Sequence, residues 1–163
     1  MKYFTMQTGI NEELLDRFVV FFNEHRESPV TIIVHSRGGS MGIGETILHM
    51  ISEMADVTLI IHSVYSSAFN ICYSAECKKI LSKSAKGMYH QPKASVEIAV
   101  DRSPYYHEDN CLYLNFKHEK KYSDSLAKEI MTKKEYELYV KRDEVWFDFN
   151  RMKQIFPDAE VMK

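Results

Sequence analysis

The stretch VTIIVHSRGGSMGIGETI, from Val30 to Ile47, joins an apolar run to a glycine-rich segment and then to a spaced apolar pattern. Val30 to Val34 is rich in branched apolar side chains, which favours an interior strand of a parallel sheet. Four of the six glycines in the chain follow directly. The stretch therefore predicts a strand, a glycine loop and a helix, in that order.

Similar units lie on both sides of this stretch. Lys2 to Gln7 alternates like a strand, and Asn11 is placed to cap a helix because its side chain can accept a free first-turn N–H. Val57 to Ile61 is another apolar strand, and Lys79 to Leu81 and Met88 to His90 predict two further short strands. Strands alternating with helices predict an α/β fold, with a mostly parallel sheet flanked by helices.

The second half of the chain has a different pattern. Val96 to Val100 alternates, and Ser123 to about Val140 predicts a helix interrupted near Thr132. Val145 to Phe147 predicts a short strand, and Asn150 is placed to cap a last short helix. Because no linker or internal repeat divides the chain, we expect residues 1–163 to form a single domain.

Composition narrows the class of protein. An apolar content of 45% and a charged content of 27% are typical of a globular protein, and a net charge of −2 gives no electrostatic footprint for nucleic acid. No apolar run reaches the roughly 18 residues that span a bilayer. The three cysteines lack metal-ligand spacing. We therefore expect a cytoplasmic protein with reduced thiols, no cofactor and no metal, which binds neither nucleic acid nor membrane.

The glycine loop has three possible roles. A phosphate cradle would need a Gly-Lys-Ser/Thr ending or G-x-G-x-x-G spacing, and neither is present. A tight turn without chemistry remains open, with Gly42 and Gly44 letting the next helix pack closely. The third role is an oxyanion hole, in which Gly38-Gly39 would turn backbone N–H groups towards a substrate carbonyl.

An oxyanion hole needs a nucleophile and a base. Ser66 and Ser67 follow the predicted strand Val57–Ile61 at the start of a short helix, and open α/β sheets place their sites at such strand ends. His90 ends another predicted strand, just before Gln91-Pro92. The chain therefore offers a glycine pair, a serine and a histidine in this order, each at a predicted strand end.

Four segments carry a resemblance to a known family: SRGGSMGIGETILHMI, DVTLIIHSVYSSAF, MYHQP and KRDEVWFD. In this order and spacing they resemble the proteolytic subunit of the Clp protease, a serine peptidase of the crotonase-like superfamily. The resemblance implies a ClpP/crotonase-like fold of repeated β-β-α and βαβ units. It also implies serine-type endopeptidase activity on peptides or unfolded proteins, in a homo-oligomeric ring.

The resemblance also implies the roles of individual residues. Ser67 falls on the nucleophile, His90 on the general base, and Asp143 on the carboxylate that orients the histidine. Gly39 and Ala68 fall on the two backbone N–H donors of the oxyanion hole.

Each assignment has neighbours that could replace it. Ser66 lies beside Ser67, and the choice between them stays open. His35 and His62 also lie at strand ends and are rival bases, while Glu144 and Asp148 lie near Asp143.

The chain departs from the family pattern at several points. Arg37 stands where the family has proline, and KASVEIAVDRSPYYHEDN (residues 93–110) lacks the glycine-rich strand through which the family docks its rings. The first predicted strand starts at Lys2, so we do not expect the axial loops through which the family meets an ATPase ring. Whether the protein has an AAA+ unfoldase partner therefore stays open.

These departures leave open a non-catalytic alternative, an inactive Clp-like subunit or structural oligomer. A crotonase-type acyl-CoA enzyme shares the fold and is a further alternative, but it needs no serine–histidine pair, so Ser67, His90 and Asp143 speak against it.

Overall fold

The computed structural model describes residues 2–92 and 111–163, with the backbone only for 111–115. The predicted strand Val96–Val100 and the whole segment expected to differ in ring docking (residues 93–110) lie outside these residues. Within the described ranges, no helix is long and apolar enough to cross a membrane.

Strands and helices alternate through the first half of the chain, as predicted. The elements there are β1 (Lys2–Met6), α1 (Glu12–His25), β2 (Pro29–Ser36), α2 (Met41–Ser52), β3 (Asp56–Tyr65), α3 (Ser67–Ser74) and β4 (Lys78–Tyr89). The second half contains α4 (Cys111–Ile130), α5 (Lys133–Val140), β5 (Val145–Phe147), α6 (Phe149–Ile155) and β6 (Glu160–Val161). The mixed α/β fold is confirmed.

These elements form two compact units. The first contains residues 1–89 and 146–163, and the second contains residues 90–145. Each is described below by itself, and the expectation of a single domain stays a prediction.

The sheet belongs almost entirely to the first unit. Its strand order is β1-β2-β3-β4-β5, and β6 pairs with β4. The pairs that join β1, β2, β3 and β4 are all parallel, as predicted. In a parallel sheet the carboxyl ends of neighbouring strands meet at one edge, which brings the loops after β2 and β3 together.

One face of this sheet carries the core. Phe4 aligns with Ile32 and Ile32 with Leu59, and all three side chains are buried. Phe18 of α1 packs edge-on against Phe4, with ring centroids 5.1 Å apart. Burying a side chain of this size contributes roughly 1.5–3 kcal/mol, so this packing fixes the strand positions on which the loops depend.

The prediction of two separate short strands, Lys79 to Leu81 and Met88 to His90, was wrong, because β4 is continuous. Leu81 aligns with Ile61 and Lys86 with Ser63, so β4 carries extra residues between the two alignments. The hydroxyls of Ser82 and Ser84 lie 3.0 Å apart there, which satisfies polar groups in a partly buried strand. β4 ends at Tyr89, and His90 follows the strand.

Two helix caps were predicted, and one of them is confirmed. The Asn11 side chain accepts the Leu14 N–H at 3.0 Å. Thr132 and Glu135 form a capping box that starts α5, which explains the predicted interruption. The assignment of Asn150 was wrong: the Asp148 carboxylate accepts the Arg151 N–H at 2.8 Å, so α6 begins earlier.

Replacing Asp148 by alanine removes this cap and should lower the free energy of unfolding by about 1 kcal/mol. Asn150→Ala is the matched control and should change it by less than about 0.5 kcal/mol. Urea unfolding followed by circular dichroism measures both values. A larger loss for the Asn150 variant would contradict the cap assignment.

Candidate active site

Two loops meet at the carboxyl edge of the sheet: the glycine loop (residues 37–40) after β2 and the serine turn (Ser66 and Ser67) after β3. Ser36, the last residue of β2, aligns with Val64 of β3. The two segments therefore leave neighbouring strands at nearly the same level. All of these residues belong to the first unit.

Gly38 is the point of closest approach between the loops. A Cβ atom there would lie 2.4 Å from the Tyr65 carbonyl oxygen and 2.8 Å from the Ser66 Cβ. Its φ is +83°, a conformation that glycine adopts without steric penalty. Any side chain at Gly38 would push the glycine loop away from the serine turn.

A backbone bridge to Ile10 fixes the other side of the loop. The Ile10 N–H donates to the Gly38 carbonyl at 2.8 Å, and the Ser40 N–H donates to the Ile10 carbonyl at 2.9 Å. Gly39 lies between these bonds with a φ of +151°, and a Cβ there would lie 2.3 Å from the Ile10 carbonyl oxygen. Both peptides that flank Gly39 are therefore held in place.

Ser36 also supports the loop, and sequence reasoning missed it. Its buried hydroxyl donates to the Thr8 carbonyl at 2.7 Å and accepts the Gly38 N–H at 3.2 Å. A serine at the end of an apolar strand, directly before the loop, is the signal that could have identified it. Ile10 gave no signal in the sequence, because it binds the loop through its backbone N–H and carbonyl and not through its side chain.

Ser66 has a strained backbone, with φ +56° and ψ −127°. Its N–H donates to the Met88 carbonyl at 2.9 Å, and its carbonyl accepts the Phe69 N–H at 2.9 Å. Such conformations cost about 1–3 kcal/mol and persist only where surrounding bonds enforce them, most often at functional sites. The Ser66 side chain is partly exposed and makes no capping bond to α3.

Ser67 is in a different environment, although it is the next residue. Its side chain is 2% exposed, and its hydroxyl donates to the Gly39 carbonyl at 3.1 Å. The two serines therefore differ in access to solvent, in backbone strain and in hydrogen bonding.

Some backbone N–H groups at this edge have no acceptor within the described part of the chain. Among the residues that the structure describes, no acceptor binds the N–H of Gly39, Ser67 or Ala68. Gly39 is exposed, whereas Ala68 is fully buried. Unpaired N–H groups at the start of a helix attract negative charge.

His90 belongs to the second unit. Its Nδ1 lies 2.6 Å from the Gln91 carbonyl oxygen. Because a carbonyl oxygen only accepts, this contact requires a proton on Nδ1 and leaves the lone pair of a neutral ring on Nε2.

The predicted carboxylate lies in the same unit. Asp143 is exposed after α5, and Arg142 before it has a φ of +67°. Within the described ranges, no hydrogen bond or ion pair joins Asp143 or Glu144 to His90. The assignment of Asp143 stays a prediction.

Other residues singled out in the sequence lie as follows. His35 is exposed in β2, His62 is half-buried at the register shift of β3, and the Arg37 side chain is exposed.

The interpretation of Gly42 as a close-packing position was wrong, whereas Gly44 is buried where α2 faces Ser67 and Ile71 of α3. A Cβ at Gly42 would meet no atom within 4 Å, and one at Gly44 would make an ordinary contact at 3.6 Å.

The two described cysteine side chains are poor nucleophiles. Burial raises the pKa of the Cys72 thiol far above its usual range, and burial also raises the pKa of Cys77. Since the thiolate is the reactive form, neither favours thiol chemistry. Among the described residues, no group of histidine, cysteine and acidic side chains is placed to hold a metal ion.

Comparison with known proteins adds the family. A family model described as Clp protease matches residues 3–108. The chain belongs to the Clp protease family. Its fold is similar to that of a ClpP1 point mutant from Listeria monocytogenes, with a TM-score of 0.69 and 20% sequence identity over 99% of this chain and 91% of that one. No curated protein matches the sequence.

The family and the ClpP-like fold are thus confirmed, and the peptidase class follows from the family. A likeness at this sequence identity shows the fold alone. The roles of individual residues therefore depend on the geometry described above and on experiment.

Replacing Ser66 by glycine should relieve the backbone strain. We expect Ser66→Gly to be more stable than Ser66→Ala by about 1 kcal/mol, because alanine keeps the strain and glycine does not. Chemical unfolding of the two variants measures the difference. Equal stabilities, or a more stable alanine variant, would show that the positive φ at Ser66 is not strained.

Proposed function

We propose that this protein is a serine endopeptidase of the Clp type, with its nucleophile in the serine turn. The observation that carries this proposal is the strained, partly exposed Ser66 beside a glycine loop whose Gly39 N–H has no acceptor among the described residues. A serine held on a sharp strand-to-helix turn presents its Oγ away from the sheet.

The local geometry favours Ser66 over Ser67 as this nucleophile. A nucleophile must reach a substrate carbonyl, and the Ser67 hydroxyl is buried with its proton directed at the Gly39 carbonyl. The Ser66 hydroxyl has no such bond within the described ranges. Ser67, the position implied by the family resemblance, is the alternative that the first experiment below tests.

The proposed reaction is acyl transfer. The Ser66 Oγ attacks the peptide carbonyl carbon while its proton passes to the His90 Nε2, and the Oγ–C bond forms as the carbonyl becomes an oxyanion. His90 then donates this proton to the leaving amine as the C–N bond breaks. A water molecule, deprotonated by His90, hydrolyses the resulting ester and restores Ser66.

Backbone N–H groups would stabilise the oxyanion. With Ser66 as the nucleophile, the Gly39 N–H and the N–H of the following residue, Ser67, are the donors; with Ser67, they are those of Gly39 and Ala68. Removing one donor of this kind typically lowers the rate roughly 10²–10³-fold. Gly39 is common to both schemes.

Asp143 would orient His90 and stabilise the imidazolium during catalysis. In the described structure the Gln91 carbonyl accepts the Nδ1 proton, and a carboxylate would stabilise the charged ring better than this neutral group. We therefore propose that, when substrate binds, the Asp143 carboxylate replaces the Gln91 carbonyl as the acceptor of the hydrogen bond from Nδ1–H. Catalytic hydrogen bonds often tighten only in the complex.

A fluorophosphonate probe tests the nucleophile directly. We expect covalent labelling of the native protein at Ser66, located by peptide mass spectrometry, and no labelling of Ser66→Ala or His90→Ala. Ser63→Ala, which changes a half-buried serine of β3 before the turn, is the matched control and should label like the unsubstituted protein.

Other labelling results have definite meanings. A label on Ser67 that survives Ser66→Ala would assign the nucleophile to Ser67. No labelling of the folded, assembled protein would contradict the peptidase proposal and favour the inactive subunit, or an acyl-CoA enzyme that needs no serine–histidine pair.

The carboxylate is tested by a pair of neighbouring variants. We expect Asp143→Ala to slow labelling at least about 100-fold, because the imidazolium loses its charged partner, and Glu144→Ala to change the rate less than about threefold. Stopped labelling time courses measure both. The reverse order would assign the role to Glu144, and unchanged rates for both would leave the Gln91 carbonyl as the orienting group.

The wider assignments of the family are part of the same proposal. Peptides or unfolded proteins are the proposed substrates, a homo-oligomeric ring is the proposed assembly, and the cytoplasm is the proposed compartment. The active peptidase proposal requires none of the family's ATPase contacts.

A further inference from the structure

We propose that Ser67 is a positioning residue, whose hydroxyl clamps the Gly39 carbonyl and thereby aims the Gly39 N–H at the substrate. This proposal rests on the proposed serine peptidase activity with Ser66 as nucleophile. It gives the two adjacent serines different tasks: one reacts, and the other holds the oxyanion hole in shape.

The direction of the Gly39 N–H follows from the bonds around it. The Gly38 carbonyl and the Ser40 N–H both face Ile10, at 2.8 and 2.9 Å. Each is joined to Gly39 through a planar trans peptide, in which N–H and C=O point in opposite directions. The N–H and the carbonyl of Gly39 therefore both point away from Ile10, to the same side.

That side is the one occupied by the serine turn. The Gly39 carbonyl reaches the Ser67 hydroxyl at 3.1 Å, and a Cβ at Gly38 would lie 3.0 Å from the Ser67 nitrogen. The Gly39 N–H and the Ser67 N–H thus lie at the same small patch of backbone, next to Ser66. A substrate oxyanion bound there would meet both donors.

Only the Ser67 hydroxyl holds Gly39 on this side, among the residues that the structure describes. Glycine has no side chain to restrict its own rotation, and its two peptides would otherwise be fixed only through Ile10. Oxyanion donors act well when they are fixed in advance, and a misplacement of about 1 Å can lower a rate roughly 100-fold.

This role predicts a particular kinetic result. The donors interact most strongly with the oxyanion, which exists in the transition state and not in the bound substrate, so loss of the clamp should lower kcat and leave KM almost unchanged. A purely structural role in packing α3 would instead lower stability without separating kcat from KM.

The experiment compares Ser67→Ala, Ser67→Thr and Ser82→Ala in the full-length protein. Ser67→Ala removes the hydroxyl, Ser67→Thr keeps it, and Ser82→Ala removes a buried hydroxyl whose partners lie within β4. We expect Ser67→Ala to lower both the fluorophosphonate labelling rate and kcat on a fluorogenic peptide about 10- to 100-fold, with KM changed less than twofold. Ser67→Thr should recover most of the rate, and Ser82→Ala should match the unsubstituted protein.

Hydrogen exchange gives a readout that needs no activity. The peptide between Gly39 and Ser40 makes two hydrogen bonds. Its N–H, on Ser40, donates to the Ile10 carbonyl, and its carbonyl, on Gly39, accepts the Ser67 hydroxyl. Loss of the clamp should therefore speed exchange in the segment that contains Ser40, in Ser67→Ala and not in Ser82→Ala.

The outcomes separate this proposal from the proposed function. Labelling of Ser66 at an unchanged rate in Ser67→Ala would overturn the clamp and leave the peptidase intact. Complete loss of labelling in Ser67→Ala, with a retained label in Ser66→Ala, would overturn the clamp because Ser67 is then the nucleophile. If the unsubstituted protein takes no label, the proposed peptidase function is contradicted. Independently of labelling, an unchanged rate of hydrogen exchange at the Ser40 N–H in Ser67→Ala would overturn the clamp.

Discussion

The close approach of Gly38 to the end of β3 is the constraint on which the site depends. The Tyr65 carbonyl and the Ser66 side chain occupy the space that a Cβ at Gly38 would need. This contact joins two loops that leave neighbouring parallel strands, and the Ile10 bridge holds the same loop from its other side. The sheet fixes the strand ends, and the absence of two side chains lets the backbone come together there.

The site is therefore made largely of backbone. Its proposed donors are N–H groups at the glycine loop and at the start of α3, and the side chains around them mainly hold peptides in position. Ser36 and Ser67 are both buried, and each binds the glycine loop through its hydroxyl. Bonds to Met88 and within α3 hold Ser66 in its strained backbone conformation, as surrounding contacts must where a residue is strained.

Local patterns were enough to predict much of the fold. The apolar strands on either side of the glycines, the cap at Asn11 and the helix interruption near Thr132 are local signals, and the structure confirms them. The continuity of β4 was missed because residues 82–85 read Ser-Lys-Ser-Ala, with no apolar run; they lie in the register shift, and the residues on either side of them pair with β3. Asp148 and Asn150 are both good capping residues, and residue type alone does not choose between them.

The site was harder to predict than the fold, for a physical reason. Gly38, Gly39 and the two serines could be identified from residue type and order, but Ser66 and Ser67 differ only in backbone strain, burial and bonding, which arise from tertiary contacts. The Ile10 bridge is invisible in the sequence because any residue with a free N–H and carbonyl could form it. His90 and Asp143 are assigned from the family pattern, and they lie in the second unit.

A crystal structure of the protein after reaction with a fluorophosphonate tests the central claim most directly, because the adduct mimics the tetrahedral intermediate. The account predicts phosphorus bonded to the Ser66 Oγ, with the phosphoryl oxygen about 2.7–3.1 Å from the nitrogens of Gly39 and Ser67, and the Ser67 hydroxyl still bound to the Gly39 carbonyl. An adduct on Ser67, or a phosphoryl oxygen that points away from Gly39, would contradict it.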